Sequence, residues 1–408
     1  MHVIFLAPHF PANQREFVRA LKNVGAQVTG IGDAPIEHLD DQVRSMLDGY
    51  EYVRNVCDVD EVTLATQRIQ ARGPWVHHLE AAVEAHMLCA AAVRERTGIP
   101  GLSHEAVNLC RDKFVMKRFL RERGIPCAAN AAVSTLEEAV AFAEEVGFPV
   151  ILKPRDGAGA QATYRLDSMD DLKRAAVAEG MHQRKRYFTM EEFISGHEGF
   201  YDTLTVDGEV VFEAVCHYYP GVLEAMRTRW ISPQIVTTNR VNAEGYDEVK
   251  VMGRKVIKEM ALTTTATHME WFYGPKGLSF SEIGARPPGC TLGDIYCAAN
   301  DFDLYTEWAR GVCWSANEAQ PSRDYAAGLI SIRPNQDGII RGYSGVEVIQ
   351  QRYSENIFKL HLPPPGQRTQ PVEAGYLAHA YVFVRHPDYD TCRAILDDIG
   401  QTLKMWAG

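Results

Sequence analysis

Two glutamates flank a tight turn in the second half of the chain. Glu270 and Glu282 each lie six residues from Lys276, which sits in the turn Gly274–Gly277 between two runs rich in aromatic and branched residues. This pattern predicts a β-hairpin, and the equal spacing predicts that the two carboxylates lie opposite each other, about 5 Å apart. Carboxylates that close repel unless a cation lies between them. Because Mg²⁺ prefers a few carboxylates together with phosphate oxygens, the pair predicts a site for a divalent cation and a nucleotide.

Arg286 follows four residues after Glu282. Its planar guanidinium group suits a phosphate or a carboxylate, so it extends the predicted site. The alternative for this stretch is an edge hairpin with solvated acidic side chains and a surface arginine.

A lysine in an apolar strand marks a second candidate site. Lys153 ends the run Phe148–Lys153 and is followed by the small-residue stretch 155–161. Backbone N–H groups of such a loop can line a phosphate while the ammonium group neutralises it. No Gly-Lys-Ser/Thr sequence follows, so this is not a Walker A loop, and a plain β-turn is the alternative.

The segment 189–198 predicts a strand that runs out into an extended linker. Such a linker can offer backbone N–H and C=O groups to the edge of an adenine, and Glu198 could accept hydrogen bonds from ribose hydroxyls. An ordinary edge strand with solvated acids is the alternative.

The elements that must position these residues differ along the chain. Residues 1–100 alternate strand and helix patterns, which predicts a parallel sheet with crossover helices. The turn after the first strand, 7–11, contains no glycine, so we expect the nucleotide to bind elsewhere. Four polar residues in this part could face a substrate or be merely structural: His9, His77, His78 and Glu84.

The middle and end of the chain are α+β in pattern. We expect a basic amphipathic helix over Asn108–Gly124 and a helix that begins with a capping box at Ser134–Glu137 and ends at Gly147. The last 85 or so residues predict a small α+β unit with a closing helix over Thr391–Met405.

Composition limits the classes of function. A chain of 408 residues is expected to form about two to four domains. Its net charge of −11 argues against nucleic acid and anionic membranes as partners, and no apolar stretch approaches the roughly 20 residues of a membrane span. Nine cysteines without a Cys-x-x-Cys pair favour reduced thiols in the cytoplasm.

Taken together, the motifs resemble the ATP-grasp superfamily over essentially the whole chain. The features that carry the resemblance follow in order: Lys113, Lys153, Glu191 to Glu198, Glu270, and Glu282-x-x-x-Arg286. The resemblance implies α/β and α+β architecture, with a Rossmann-like domain over 1–100, a two-lobed ATP-grasp core over 101–320 whose small lobe covers about 125–190, and an α+β domain over 321–408 like that of biotin carboxylase. The forms His268-x-Glu270 and Glu282-Ile-Gly-Ala-Arg286-Pro are most similar to carboxylate–amine ligases, including L-amino-acid α-ligases.

The resemblance also implies cofactors and roles. ATP and Mg²⁺ (or Mn²⁺) would be bound, with Glu270 and Glu282 as metal ligands. The residues implied for ATP binding are Lys113, Lys153, Gly157, Gly159, Glu191, Glu192, Phe193, Ile194 and Glu198. The residues implied for catalysis are Arg286, Lys153 and His268. The chain departs from the common pattern at Gly284, where many members have asparagine, and at Ala160, where serine is common.

The implied reaction joins a small-molecule carboxylate to an amine through an acyl phosphate, with release of ADP and phosphate. A homodimer is a possible assembly. Two other functions remain open: a carboxylase that activates bicarbonate, and a non-catalytic nucleotide-binding module. The segment Tyr218–Asn239 is expected to line the pocket for the acid and the amine; its candidates are Tyr218, Tyr219, Arg227, Arg229 and Trp230.

Overall fold

The structure is a computed structural model that describes residues 1–155, 163–181, 187–289 and 291–408. The predicted phosphate-loop residues Gly157, Gly159 and Ala160 lie outside these ranges. The strands of the described residues are β1 His2–Leu6, β2 Gln27–Gly32, β3 Gly49–Tyr52, β4 His78–Glu80, β5 Asn130–Val133, β6 Val150–Pro154, β7 Tyr164–Leu166, β8 Phe188–Glu192, β9 His197–Val206, β10 Glu209–Tyr219, β11 Gln234–Thr237, β12 Thr265–Gly274, β13 Gly277–Gly284, β14 Ala326–Ile332, β15 Ile340–Ser344, β16 Ile357–His361, β17 Ala380–His386 and β18 Lys404–Ala407.

Helices connect these strands. They are α1 Gln14–Asn23, α2 Asp41–Met46, α3 Val59–Arg72, α4 Met87–Thr97, α5 His104–Arg111, α6 Lys113–Arg121, α7 Leu136–Val146, α8 Met169–Ala178, α9 Val222–Ala225, α10 Asp247–Glu259, α11 Leu292–Asn300, α12 Leu304–Trp314, α13 Val346–Tyr353 and α14 Tyr389–Thr402. Across the described residues no helix combines the length and the apolarity needed to cross a bilayer.

The N-terminal part is the parallel α/β unit that the alternating pattern predicts. Its strands lie in the order β3-β2-β1-β4, and each neighbouring pair is parallel. The centre of the sheet is apolar because β1 is buried over its whole length. Parallel strands buried on both faces read as continuous apolar runs, as β1 does here.

The small lobe is an antiparallel sheet in the order β5-β8-β6-β7. Helices α7 and α8 supply Phe142 and Leu172 to its apolar core, which also holds Leu152 and Met190 from the strands. Lys153 lies near the end of β6, and this strand is held in place because Val150 and Leu152 are packed in the apolar core of the small lobe.

The largest sheet among the described residues has the order β13-β12-β9-β10-β11-β14-β17-β16. Strands β9 to β13 come from the predicted core, and β14, β16 and β17 come from the C-terminal part. The sheet thus crosses the predicted boundary at residue 320, with β11 and β14 paired antiparallel. The bounds of the domains stay a prediction.

Local details correct three sequence expectations. The helix expected over Asn108–Gly124 is two helices, because Asp112 ends α5 and its carboxylate accepts hydrogen bonds from the backbone of Phe114 and Val115 at the start of α6. The capping box is formed by Thr135 and Glu138, one residue later than expected. The closing helix ends at Thr402, and the residues after it form β18 against β15.

Candidate active site

The predicted hairpin is present, and it brings the two glutamates together. Glu270 on β12 and Glu282 on β13 are cross-strand partners, as expected from their equal distance from Lys276. A bulge follows Glu270, and β12 also pairs with β9, so the hairpin is held inside the large sheet on one side. The prediction of facing carboxylates is confirmed.

A cavity of about 470 Å³ lies where the small lobe faces this hairpin. Its walls carry every described residue that the sequence assigned to ATP or metal: Lys113, Lys153, Glu191, Glu192, Phe193, Ile194, Glu198, Glu270 and Glu282. Strands β6 and β8 of the small lobe contribute one wall, and β12 and β13 contribute the opposite one. The residues are far apart in sequence and meet only because two sheets face each other.

Inside this cavity Glu191 holds two lysines. Its Oε2 lies 2.6 Å from Lys117 Nζ and 3.0 Å from Lys153 Nζ. Burial alone would raise the pKa of Glu191, but the charges of Lys117 and Lys153 outweigh it and hold that pKa below its usual range. Its Oε1 is buried and has no hydrogen-bond partner among the described residues, so an acceptor remains for a ligand.

Lys117 is a site residue that the sequence reasoning missed. It is 1% exposed and borders the cavity. Burial lowers its pKa, against the opposing attraction of Glu191. The signal was available, because Lys113 and Lys117 are four residues apart on one helix face.

Two glutamates that line the cavity, Glu282 and Glu198, have pKa values shifted in opposite directions. Lys113 Nζ lies 3.2 Å from Glu282 Oε2. Burial would raise the pKa of Glu282, but Lys113 and Lys153 lower it to about 2. Burial and the neighbouring charge of Glu270 raise the pKa of Glu198 to about 8. The raised pKa of Glu198 reflects its burial and the negative charge of Glu270, and a cation beside Glu270 would offset that charge.

The donor set fits Mg²⁺ with a limited number of protein ligands. Within the described ranges, no group of three or more His, Cys, Asp or Glu side chains is placed to hold a metal ion. Two facing carboxylates are nevertheless the number that Mg²⁺ takes from proteins when phosphate oxygens and waters supply the rest. Glu270 and Glu282 would hold such an ion.

The segment expected to contact the nucleotide base and ribose borders the same cavity. Glu192 Oε1 lies 3.2 Å from Lys276 Nζ, and the guanidinium of Arg165 lies 4.4 Å from the centre of the Phe193 ring. Glu198 Oε2 accepts a hydrogen bond of 2.6 Å from the backbone N–H of Val222. The individual contacts to ATP stay predictions.

A second cavity of about 270 Å³ adjoins the first. Both cavities are lined by Lys113, Val222, Glu270 and Glu282. The second cavity also has polar side chains from the N-terminal part, the hairpin and the C-terminal part: Glu84, Arg111, His268, Arg286, Glu373, Tyr218 and Tyr376. The predicted metal pair thus stands at the junction of two compartments.

A hydrogen bond to Asp202 orients the imidazole ring of His268. Its Nδ1 lies 2.7 Å from Asp202 Oδ1, and the hydroxyl of Tyr296 donates to the other carboxylate oxygen. The imidazole Nε2 lies 3.7 Å from Glu270 Oε1. Burial alone would lower the pKa of His268, but Asp202 and Glu270 raise it to about 10, so the ring is an imidazolium at neutral pH.

Arg286 is held by a residue from the N-terminal domain. Its Nε lies 2.6 Å from Glu84 Oε2, and Arg111 Nη1 lies 3.1 Å from Glu84 Oε1. Of the four N-terminal residues with open roles, Glu84 therefore reaches the site. His9 pairs with Asp33 instead, and His77 accepts a hydrogen bond from the backbone of His2.

The expected substrate segment reaches this second cavity in part. Tyr218 lines it, and Tyr218 Oη lies 3.5 Å from Glu270 Oε1. Tyr219 hydrogen-bonds Tyr389, Arg229 pairs with Asp337, and Trp230 is 88% exposed. Arg227 donates to the backbone carbonyl of Thr163.

Comparisons with known proteins agree with this arrangement. The family described as "Carbamoyl-phosphate synthase L chain, ATP binding domain" matches residues 112–200. An L-arginine-specific L-amino acid ligase from Bacillus subtilis is 28% identical over 247 residues, which are 59% of this chain and 59% of that protein. The chain thus matches a little under two thirds of that relative's length.

Two solved structures show the same fold over nearly the whole chain. An L-amino acid ligase from Bacillus licheniformis has a TM-score of 0.78 at 15% identity and covers 100% of this chain and 98% of its own. The biotin carboxylase domain of the Hydrogenobacter thermophilus 2-oxoglutarate carboxylase, solved with MgADP, ADP and bicarbonate, has a TM-score of 0.69 at 16% identity and covers 99% and 90%. The resemblance to ATP-grasp proteins expected from the motifs is confirmed.

Proposed function

We propose that this protein is an ATP- and Mg²⁺-dependent ligase that joins a carboxylate, specifically that of an amino acid, to an amine through an acyl phosphate. ADP and phosphate are the other products. One observation carries the proposal: the cavity with the predicted ATP-binding residues and the cavity with Arg286 and His268 meet at Lys113, Glu270 and Glu282. A phosphoryl group held at that junction faces an acid in the second cavity.

The first cavity accommodates ATP with its triphosphate directed toward the hairpin. Lys153 and Lys113 bind the phosphates, since both ammonium groups border the cavity close to the carboxylate pair. The linker after β8, with Glu192, Phe193 and Ile194, faces the adenine. Glu198 lies on the same wall and accepts from the ribose.

Glu270 and Glu282 would hold Mg²⁺, and such an ion would supply charge that offsets the phosphate oxygens. Lys113 already lies beside Glu282, so a phosphate bound by that lysine is next to the metal ligands. The protein groups are thereby arranged for charge stabilisation and positioning.

The acid is activated and then consumed in the second cavity. Its carboxylate oxygen attacks the γ-phosphorus, the bond to the β-phosphate oxygen breaks, and ADP leaves. The amine then attacks the acyl carbon, loses a proton, and expels phosphate from the tetrahedral intermediate. Arg286 and the His268 imidazolium line this cavity, and their positive charge would stabilise the negative charge that develops on oxygen in both steps.

The fold alone also fits a carboxylase, because the biotin carboxylase domain named above has the same architecture. That domain was solved with bicarbonate. The two functions differ in the acid that is activated, and a non-catalytic module would activate none. The assembly expected from the sequence, a homodimer, and a cytoplasmic location stay predictions beside this proposal.

The test is a phosphate-release screen over pairs of amino acids, other small acids and amines, with bicarbonate removed from the buffers. Mass spectrometry then identifies the amide in each active pair. ADP formation that requires both acid and amine supports the ligase. ADP formation that requires bicarbonate and gives no amide supports the carboxylase, and absence of ADP in every mixture supports the non-catalytic module.

A further inference from the structure

Glu84, from the N-terminal part of the chain, lines the second cavity. Its carboxylate bridges two guanidinium groups, with Oε2 2.6 Å from Arg286 Nε and Oε1 3.1 Å from Arg111 Nη1. All three side chains are less than a fifth exposed. Two cations and one anion give the bridge itself a net positive charge.

The bridge also fixes the orientation of Arg286. The Nε–H donates to Glu84, and Nη1 donates to the backbone carbonyl of Pro287 at 2.8 Å. Arginine has five N–H donors in one plane, so the contacts of Nε and Nη1 fix that plane and set the direction of the Nη2 donors. Arg286 lines the cavity, and its orientation therefore decides how an acid is received there.

Gly284 gives this bridge its room. A Cβ atom on Gly284 would stand 3.2 Å from Glu84 Oε2 and 3.7 Å from Arg286 Cγ. The first of these distances is already tight for a carbon against an oxygen, and an asparagine would add further atoms beyond Cβ. The glycine, which departs from the pattern common in the superfamily, and the bridge by Glu84 are parts of one arrangement.

We propose that Glu84 is a positioning residue for the carboxylate substrate: it holds Arg286 and Arg111 together as a two-guanidinium receptor at the end of the second cavity. The acid is the ligand, and the class it selects is a small organic carboxylate. This inference rests on the proposed function, because it assumes that the second cavity receives the acid.

The test compares Glu84→Gln with a matched control, Glu51→Gln. Glu51 is also in the N-terminal domain and also bridges two arginines, with Oε2 3.1 Å from Arg68 Nη2 and Oε1 2.6 Å from Arg72 Nη1, and it lines neither cavity. Both variants keep the side-chain shape and remove one bridging charge. Each is assayed for the KM of the acid and the KM of ATP with the most active acid–amine pair.

We expect Glu84→Gln to raise the KM of the acid by roughly 10- to 100-fold, because a charge-assisted contact is lost and one arginine then faces an amide N–H₂ group. The KM of ATP should stay within about twofold of the wild type, since ATP occupies the other cavity. Glu51→Gln should leave both values unchanged. Gly284→Asn should also raise the KM of the acid, because it crowds the bridge.

Four results would overturn the inference. One is an acid KM in Glu84→Gln that equals that of the active wild type; this leaves the ligase function standing. Another is an equal rise in the KM of ATP, which indicates a general structural defect. If the wild type turns over bicarbonate alone, the ligase function is wrong, and the KM of bicarbonate is then measured for the variants. An unchanged KM of bicarbonate in Glu84→Gln would also rule out the positioning role of Glu84. Absence of all turnover removes both proposals.

Discussion

The buried cluster of Glu191 with two lysines gives a sharp prediction of stability. Lys117 is 1% exposed and Glu191 is 4% exposed, and Glu191 Oε2 lies within 3.0 Å of both ammonium groups. Glu191→Gln keeps the shape but leaves the buried Lys117 and the partly buried Lys153 with no anion between them. Removing one partner of a buried ion pair costs about 3–5 kcal/mol, and we expect a loss of this size in the free energy of unfolding.

Lys117→Met should cost much less, about 1–2 kcal/mol. The remaining Glu191 and Lys153 stay as a balanced pair at 3.0 Å, and the methionine fills most of the vacated volume. The matched control is Glu192→Gln, since the neighbouring Glu192 pairs with an exposed lysine, Lys276, whose side chain is 77% exposed. A surface pair of this kind contributes at most about 1 kcal/mol.

The assay is urea denaturation followed by circular dichroism, with thermal melting in parallel. A loss under about 1 kcal/mol for Glu191→Gln, or equal losses for Glu191→Gln and Glu192→Gln, would refute the argument that the cluster depends on its central anion. Acid provides a second check. The pKa of Glu191 lies below its ordinary value in the folded state, so its stabilising effect is present above the unfolded pKa and is lost as the pH falls through the folded pKa. The difference between wild type and Glu191→Gln should therefore shrink in acid.

The remaining predictions concern activity. Glu282→Gln should nearly abolish phosphate release in a folded protein, because it removes a charge from the metal site; near-normal turnover would remove the metal assignment. Lys153→Met should raise the KM of ATP and lower kcat together, since a phosphate contact acts on bound substrate and transition state. Unchanged values would show that Lys153 does not contact the phosphates. Arg286→Ala should lower the rate by roughly 30- to several-thousand-fold, or about 2–5 kcal/mol, and Arg286→Lys should recover little because it lacks the planar fork. The rates of both Arg286 variants are measured in a bicarbonate-free assay with an active acid–amine pair. A rate in Arg286→Lys close to that of the wild type would show that charge alone is needed.

The sequence by itself determined the parts whose signal is local. The turn residues around Lys276 were enough to predict the hairpin and the approach of Glu270 to Glu282, and a bulge between Glu270 and Trp271 completes their pairing. The alternating strand and helix patterns of the first 100 residues determined a parallel sheet, because short crossovers allow little else. The order of charged motifs was enough to predict the resemblance to ATP-grasp proteins.

Helix boundaries were less certain because backbone capping competes with amphipathic periodicity. The apolar pattern continued through Asp112, yet its carboxylate caps a new helix at that point. The capping box moved by one residue for the same reason: Ser134 and Thr135 are both capable of capping, and only the backbone geometry selects Thr135.

Only the tertiary structure decided which distant residues share a cavity. Lys117 meets Glu191 from a position 74 residues away, Asp202 meets His268 across paired strands, and Glu84 reaches Arg286 over 202 residues. The four-residue spacing of Lys113 and Lys117 indicates a shared helix face, but nothing local shows which residue that face meets. The sequences around Asp202 and Glu84 likewise do not indicate their partners. Their roles arise from desolvation and from the facing of separate sheets, and these are properties of the packed chain rather than of any segment within it.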